Sequence, residues 1–356
     1  MKRVSIFGAA IVDILVSDAD ARVFQTGSSP TDGIRMSYGG DALNEATVLH
    51  KLGVPVRLQT VLGRDDAGKA VLQRLEALEL DVRGVHIRED LRTSINVVLI
   101  TPDGERSFLT DPHASMRQLR PEDLVIPEGT DILCLASIFV FPLLKTAELR
   151  DFFARAKAQG ITVCADMTTC KNGETAADLA PALAYVDYLF PNEKEAMLLT
   201  GQPTVEAAAD ALFRAGVGTV VIKCGDRGCY VQTEGRCFWS PAEAGVVCVD
   251  TTGAGDSFVG GFLSCLAQDL PLEACLAFAN RCGARAVEHV GAPAGITRND
   301  EKGLLLQSLF FISASQKSLD FPHPAGSWRP KASLPRLHGS RPRSSLRCQS
   351  CRLPAR

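Results

Sequence analysis

No apolar run in the sequence approaches the 18 or so residues that a membrane-spanning helix needs, so no span is expected. Net charge is scarce as well. The 38 Lys and Arg against 41 Asp and Glu leave −3, which makes no overall case for a nucleic-acid partner. The lone C-x-x-C, Cys348 to Cys351, lacks the second pair that a zinc site requires. The N-terminus starts like a secretory leader, with Lys2 and Arg3 ahead of VSIFGAAIV. Asp13 interrupts that run and no small-residue cleavage site follows, so the stretch reads as a first β-strand entering a core.

A hydrophobic content of 46% over 356 residues excludes disorder of the whole chain and can fill one large α/β domain or two smaller ones. The twelve cysteines lie mostly singly inside apolar runs, which suits reduced core thiols in a cytoplasmic protein. The charge balance hides an asymmetry. From Gly303 to Arg356 nine Lys and Arg face one Asp, giving +8, and the 302 residues before them carry −11. The segment 301–356 is rich in Ser, Pro and Arg and has no period, so it is expected to be a disordered basic tail.

Strands are expected at 4–7, 56–62, 131–139, 161–166, 188–190, 219–223 and 246–249. Helical patterns run over 41–52, 67–80, 146–159, 193–200, 205–215, 256–268 and 272–289. This alternation predicts a mainly parallel sheet with helices on both faces. One region breaks the rhythm. TSINVVLI (93–100) and RSFLT (106–110) read as a hairpin turning at Asp103-Gly104. With residues from about 12 to 38 it forms a small separate sheet, placed to act as a lid.

Three glycine segments could cradle phosphate. FGAAIVD (7–13) has a single glycine and no helix after it, so it is no dinucleotide loop. GRDDAGKA (63–70) fits G-x-x-x-x-G-K, but Ala70 stands where a metal-binding hydroxyl is needed. Asp65 and Asp66 would also face phosphates of like charge, a repulsion of about 4 kcal/mol at about 4 Å and an effective dielectric near 20. A structural turn is favoured there. The third, VDTTGAGDSFVGGF (249–262), sets Gly253, Ala254, Gly255 and Asp256 at the mouth of an apolar helix. A helix N-terminus offers unpaired amides and a positive dipole end to an anion. Asp256 beside it either caps the helix or takes a proton from an attacking hydroxyl while the amides hold phosphoryl oxygens.

These residues carry a resemblance. DTTGAGDSF resembles the C-terminal signature of the PfkB/ribokinase family of carbohydrate kinases, and YGGDALNEA (38–46) its sugar-binding glycine pair. PNEKEA (191–196) and VGTVVIKCGDRG (217–228) resemble its N-x-x-E motif and its nucleotide loop. The four motifs stand in the family's order over about residues 3–299, nearest in pattern to bacterial members known only as sugar kinases. The resemblance implies a ribokinase-like three-layer α/β sandwich over about 1–300, a β-sheet lid from about 12–38 and 93–111, and a lid-to-lid homodimer. It implies ATP-dependent, Mg²⁺-requiring phosphorylation of a sugar hydroxyl.

Asp256 then corresponds to the catalytic base, and the amides of Gly253, Ala254 and Gly255 to its anion hole. Asp13, Gly39, Gly40, Asp41, Asn44 and Asn96 fall at sugar-contacting positions. Asn192, Lys223, Gly225, Gly228, Thr251 and Asn280 fall around ATP. Asn192 and Glu195 correspond to the pair that organises Mg²⁺, partly through water, and Asp250, Thr252 and Gly291 to a monovalent-cation loop for K⁺. Two departures matter. Asp41 stands where ribokinases commonly carry Lys, and Asp166-Met167-Thr168-Thr169-Cys170 replaces the D-x-N-x-R of many sugar-acid kinases. Neither ribose nor a keto-deoxy sugar acid therefore follows from the resemblance, and a small neutral monosaccharide is expected. The other readings are a nucleoside kinase of the same fold, against which the lid's few aromatics speak, and a sugar-binding protein whose turnover the replaced C-terminus impairs.

Overall fold

Short β-branched runs have room only for strands, and stretches with apolar residues three and four apart form helices. The computed structural model describes residues 1–102, 105–291 and 295–297. Its elements begin with β1 (Val4–Phe7), β2 (Ile11–Ser17), α1 (Val23–Thr26), β3 (Gly33–Gly39), α2 (Asp41–Lys51), β4 (Val56–Gly63) and α3 (Asp66–Ala77). There follow β5 (Val85–Arg88), β6 (Ile95–Ile100), β7 (Arg106–Leu109), β8 (Ile132–Leu135), α4 (Thr146–Ala158), β9 (Thr162–Asp166) and α5 (Ala176–Leu183). The remainder are β10 (Tyr188–Phe190), α6 (Glu193–Thr200), α7 (Val205–Arg214), β11 (Thr219–Lys223), β12 (Cys229–Thr233), β13 (Arg236–Ser240), α8 (Ala254–Leu266) and α9 (Leu272–Val287).

Nine strands form one sheet in the order β13-β12-β11-β10-β9-β8-β1-β4-β5. It is parallel from β11 through β5, and β12 and β13 run antiparallel at one edge. Side chains alternate across it. Ile132 and Cys134 enter a core with α2, α3, α8 and α9, whereas Leu133 and Leu135 enter one with α4 to α7. Each fully buried Leu or Phe there contributes roughly 1.5–3 kcal/mol by leaving water. Two of the three glycines in α8, Gly260 and Gly261, are explained by close approach. A Cβ on Gly260 would lie 2.6 Å from Val48 Cγ1, and one on Gly261 2.7 Å from Cys282 Sγ. Glycine there lets α2 and α9 press against the helix whose mouth carries Asp256.

The second sheet has the order β3-β2-β6-β7. It contains the hairpin arms and the 12–38 region, as expected. The expected turn at Asp103-Gly104 and the tail 301–356 lie outside the described residues. The expected strand 246–249 does not form. Val247 and Val249 are exposed, and the segment pairs with no strand among the described residues. Val246 and Cys248 instead line a cavity, and the Val249 amide donates to the Val287 carbonyl at 2.7 Å. The apolar run there answers to a cavity wall, with Val246 and Cys248 facing the cavity and Val247 and Val249 exposed, rather than to a sheet. β5, β12, β13 and α5 were not anticipated. The seven cysteines Cys134, Cys164, Cys224, Cys229, Cys265, Cys275 and Cys282 are buried and free of disulfides. Among the described residues no helix is long and apolar enough to cross a membrane.

Candidate functional site

The parallel strands end on one side of the sheet, where open α/β sheets collect their functional groups. Asp166 closes β9, Asn192 follows β10 and Lys223 closes β11. Opposite them stands the N-terminus of α8. A cavity of about 810 Å³ lies between, within the usual range for small-molecule sites. Its wall includes Asp41, Asp166, Asn192, Glu195, Lys223, Gly225, Gly228, Thr251, Ala254, Gly255, Asp256 and Asn280. The cavity wall thus includes Ala254, Gly255, Asp256 and the six nucleotide positions inferred from sequence, whereas Gly253 does not line it.

Asp256 sits in the first turn of α8, and Asn44 Nδ2 donates to its Oδ2 at 2.7 Å. Burial pushes its pKa well above the usual carboxylate range, and the charges of Asp41 and Asp166 push the same way. The Asn44 hydrogen bond and Lys223 pull against them. Gly253 takes the left-handed cap position at φ 72°. The Ala254 amide donates to the Thr251 carbonyl at 3.3 Å, so the first amide of the turn is engaged within the loop.

Lys223 Nζ donates to both oxygens of Asp166, at 2.8 and 2.7 Å. Burial alone would lower its pKa, but Asp166 and Glu195 outweigh burial and hold it protonated. Asn192 and Glu195 form a reciprocal capping box on α6. Asn192 Oδ1 accepts from the Glu195 amide at 2.9 Å, and the Asn192 amide donates to Glu195 Oε2 at 2.8 Å. The helix-cap role is therefore real, yet Glu195 is not a solvated residue. It is buried, and burial pushes its pKa up to about 7. Among the described residues lining the cavity, Lys223 is the one Lys or Arg, facing Asp41, Asp166, Glu195 and Asp256. Asn280 donates to Pro241 O at 3.1 Å and Ser240 Oγ at 3.2 Å, which ties α9 to the end of β13 beside the loop of Gly225 and Gly228.

The remaining sugar positions stand on the second sheet and at its junction with α2. Asp13 pairs in register with Asn96, and their side chains hydrogen-bond. One oxygen of each, Asp13 Oδ1 and Asn96 Oδ1, is buried and has no partner. Gly39 is glycine because its neighbour demands it. A Cβ there would lie 2.2 Å from Asp13 Oδ2. Gly40 has φ 97°, and a Cβ on it would lie 2.4 Å from the Ala9 carbonyl. The pair holds the Asp13 carboxylate against backbone and turns the chain into α2. Asp41 opens α2 and accepts the Ser137 hydroxyl. Burial, then Asp166, pushes its pKa up to about 6.

The cation loop takes a different form from that expected. Asp250 Oδ1 accepts from the Thr252 amide at 2.9 Å, from Thr252 Oγ1 at 2.7 Å and from Arg106 Nη2 at 2.6 Å. Asp250 Oδ2 accepts from the Gly291 amide at 3.0 Å, so Gly291 enters the loop through its N–H. A second guanidinium nitrogen of Arg106 contacts Thr252 Oγ1. Burial works to raise the Asp250 pKa, but these hydrogen bonds hold it below the usual range. Donors surround this carboxylate, and the set does not fit a dissolved K⁺. Arg106, Asp166 and the buried Glu45 were not picked out as site residues beforehand. Asp166 had a legible signal at the carboxyl end of a parallel strand, whereas Arg106 is 144 residues from Asp250.

GRDDAGKA stands away from the cavity wall. Asp65 caps α3, accepting from the Gly68 amide at 2.8 Å and the Thr93 amide at 2.7 Å. Lys69 is exposed and paired with Asp66, so the segment is a structural turn.

The profile of the pfkB family of carbohydrate kinases matches residues 1–298. The ATP-dependent ribose-1-phosphate kinase of Halopiger xanaduensis is 31% identical over 260 residues, covering 72% of this chain and 83% of that protein. The fructoselysine 6-kinase of Escherichia coli is 27% identical over 254 residues, covering 71% and 91%. In structure, the Arabidopsis thaliana ribokinase complexed with ribose and ATP superposes with a TM-score of 0.74 at 24% identity, covering 85% of this chain and 98% of that one. The ribokinase of Thermotoga maritima superposes at 0.72 and 24% identity, covering 86% and 100%. The fold is the ribokinase fold, and the chain belongs to the PfkB family of carbohydrate kinases, the phosphotransferases that act on sugars or nucleosides.

Proposed function

We propose that the protein transfers the γ-phosphate of ATP to a hydroxyl of a small neutral monosaccharide. The observation that carries the substrate reading is the set of acceptors left without donors. Asp13 Oδ1 and Asn96 Oδ1 are buried and unpartnered, and Asp41 stands beside them. Sugar hydroxyls donate to such groups, whereas the carboxylate of an aldonate or a sugar phosphate would bring further acceptors and negative charge. Two arginines near the lid are already committed, Arg106 to Asp250 and the exposed Arg92 to Asp111, whereas Arg35 shares the Asp13 face in register with Leu15 and is exposed.

In this reading the sugar lies between the lid and Asn44, with the acceptor hydroxyl at Asp256. The hydroxyl oxygen attacks the γ-phosphorus, the bond to the β,γ-bridging oxygen breaks, ADP leaves, and Asp256 takes the proton. Burial raises the basicity of Asp256, and Asn44 orients the carboxylate. The Gly253 and Gly255 amides donate to the phosphoryl oxygens, the Ala254 amide being engaged with the Thr251 carbonyl, and Lys223, Gly225, Gly228, Thr251 and Asn280 hold the nucleotide. Mg²⁺ fits this wall. Six carboxyl groups and a single lysine line it, and a divalent cation that keeps most of its water would sit with Glu195 and Asn192 and offset phosphate charge.

The opposite face of the lid supports pairing with a second copy. Register places Ile34, Met36, Ile95 and Leu109 on that face, and all four are exposed. Met36→Glu should weaken such a dimer in sedimentation. The function is tested by ATP turnover over a panel of neutral hexoses and pentoses, sugar phosphates, aldonates and nucleosides. A neutral sugar as the best substrate is the expected result. A sugar phosphate, aldonate or nucleoside as the best substrate would contradict it, as would binding of sugar without turnover.

A further inference from the structure

Arg106 does not lie on the outer face of the lid. Register pairs it with Ile100, which shares its face with Val98 and Asn96, and Asn96 pairs with Asp13. Arg106 therefore projects from the same face of the lid as the sugar-binding candidates. Its guanidinium crosses to Asp250 Oδ1 at 2.6 Å and to the Thr252 hydroxyl. The Arg106 side chain is 27% exposed and that of Asp250 7%, so the pair is largely withdrawn from solvent. Thr252 immediately precedes Gly253, the cap of α8.

Three features make this pair more than a surface contact. The Asp250 carboxylate receives every hydrogen bond that reaches it, from Thr252, Gly291 and Arg106. The charge it meets is a planar monovalent cation with several donors, able to bridge a carboxylate and a hydroxyl at once. The two partners belong to separate parts of the fold, Arg106 on the lid sheet and Asp250 on the loop that leads into the helix mouth.

We propose that the Arg106 guanidinium is a tethered internal cation for the loop 250–253, so that lid closure, rather than a dissolved monovalent ion, completes the phosphate-binding turn. Arg106 is a positioning residue, acting on Gly253–Gly255 through Asp250 and Thr252. The inference rests on the reading of the α8 mouth as the phosphate site. Two consequences follow. Turnover is indifferent to the monovalent cation, and sugar binding on the lid side tightens nucleotide binding through Arg106.

The test compares the full-length wild type, Arg106→Gln and Arg106→Lys in KCl, NaCl, CsCl and tetramethylammonium chloride at equal ionic strength. Turnover on the best sugar, the melting temperature without substrates, and ATP affinity with and without sugar are read for each. The wild type should vary less than about twofold in rate across the four salts and show the same melting temperature in each. Arg106→Gln should lose most of the effect of sugar on ATP affinity, and should melt higher in K⁺ than in tetramethylammonium. Arg106→Lys should restore part of the coupling. Activation of the wild type by K⁺ of fivefold or more would overturn the proposal, as would unchanged sugar–ATP coupling in Arg106→Gln. If Arg106→Gln does not fold, the wild-type salt series decides alone. If no sugar supports turnover, the proposed function fails, and the wild-type and variant melting temperatures still report on Arg106.

Discussion

Glu45 lies on α2 with 0% exposure, and neither carboxyl oxygen has a hydrogen-bond partner among nitrogen and oxygen atoms. Burial pushes its pKa well above the usual range, with Asp166, Asp256 and Asp41 adding to the push. The folded protein therefore keeps a proton on Glu45 that the unfolded chain releases above about pH 4.3. Unfolding releases that proton, so stability falls as pH rises from the unfolded value toward the raised folded one. The slope for one proton is at most about 1.4 kcal/mol per pH unit. Between pH 5 and pH 7 Glu45 alone should cost stability, on the order of 1–3 kcal/mol. Glu45→Gln removes the proton and with it the slope. The new amide carries its own burial cost, but that cost is independent of pH and cancels in the comparison. Asp41 and Glu195, pushed up to about 6 and about 7, contribute slopes of the same sign to both proteins. Urea unfolding followed by far-ultraviolet circular dichroism at pH 5, 6 and 7 measures the difference. Stability of Glu45→Gln relative to the wild type should rise by roughly 1–3 kcal/mol over that range. Parallel curves would show that Glu45 is ionised in the fold and refute the reasoning.

Lys69→Ala should leave ATP affinity within about threefold, or about 0.7 kcal/mol, because Lys69 is exposed and bound to Asp66; a tenfold loss in titration calorimetry would contradict this. Gly39→Ala places a Cβ where Asp13 Oδ2 stands, so KM for sugar should rise about tenfold or more, about 1.4 kcal/mol, with KM for ATP unchanged. An unaltered sugar KM in a folded variant would refute that arrangement. Asp41→Asn should weaken binding of the neutral sugar by about 1–2 kcal/mol, the loss of one hydrogen bond to a charged group, measured as KM at pH 8, where Asp41 with its pKa near 6 is ionised.

The sheet was legible because its buried strands are short apolar runs whose signal does not depend on distant partners. YLF and TVVIK form strands with the bounds that the sequence suggested. β12 and β13 were harder to see, since CYVQT and RCFWS mix polar residues into an antiparallel edge hairpin. VVCV misled for the converse reason, as a short continuous apolar run does not by itself separate a strand from a loop lining a cavity. At the site, the local motifs could be read because each glycine or carboxylate acts on its chain neighbours. GAGD forms the mouth of α8, and N-x-x-E closes its own capping box. The Arg106–Asp250 bridge and the buried Glu45 depend on residues brought together from distant segments, and no spacing in the chain announces them. The even acidic character of the body gave no hint that four carboxyls converge on Lys223.

The central claim is that Asp256 removes the proton from a sugar hydroxyl during phosphoryl transfer at the mouth of α8. Asp256→Asn keeps the shape of the side chain and removes its basicity. The direct measurement is the rate of transfer of labelled γ-phosphate from ATP to the best neutral sugar, for wild type and variant with equal melting temperatures. The account predicts a fall in kcat of about 10²- to 10⁴-fold, with the binding of sugar and ATP retained. Turnover of the folded variant within about threefold of the wild type would contradict it.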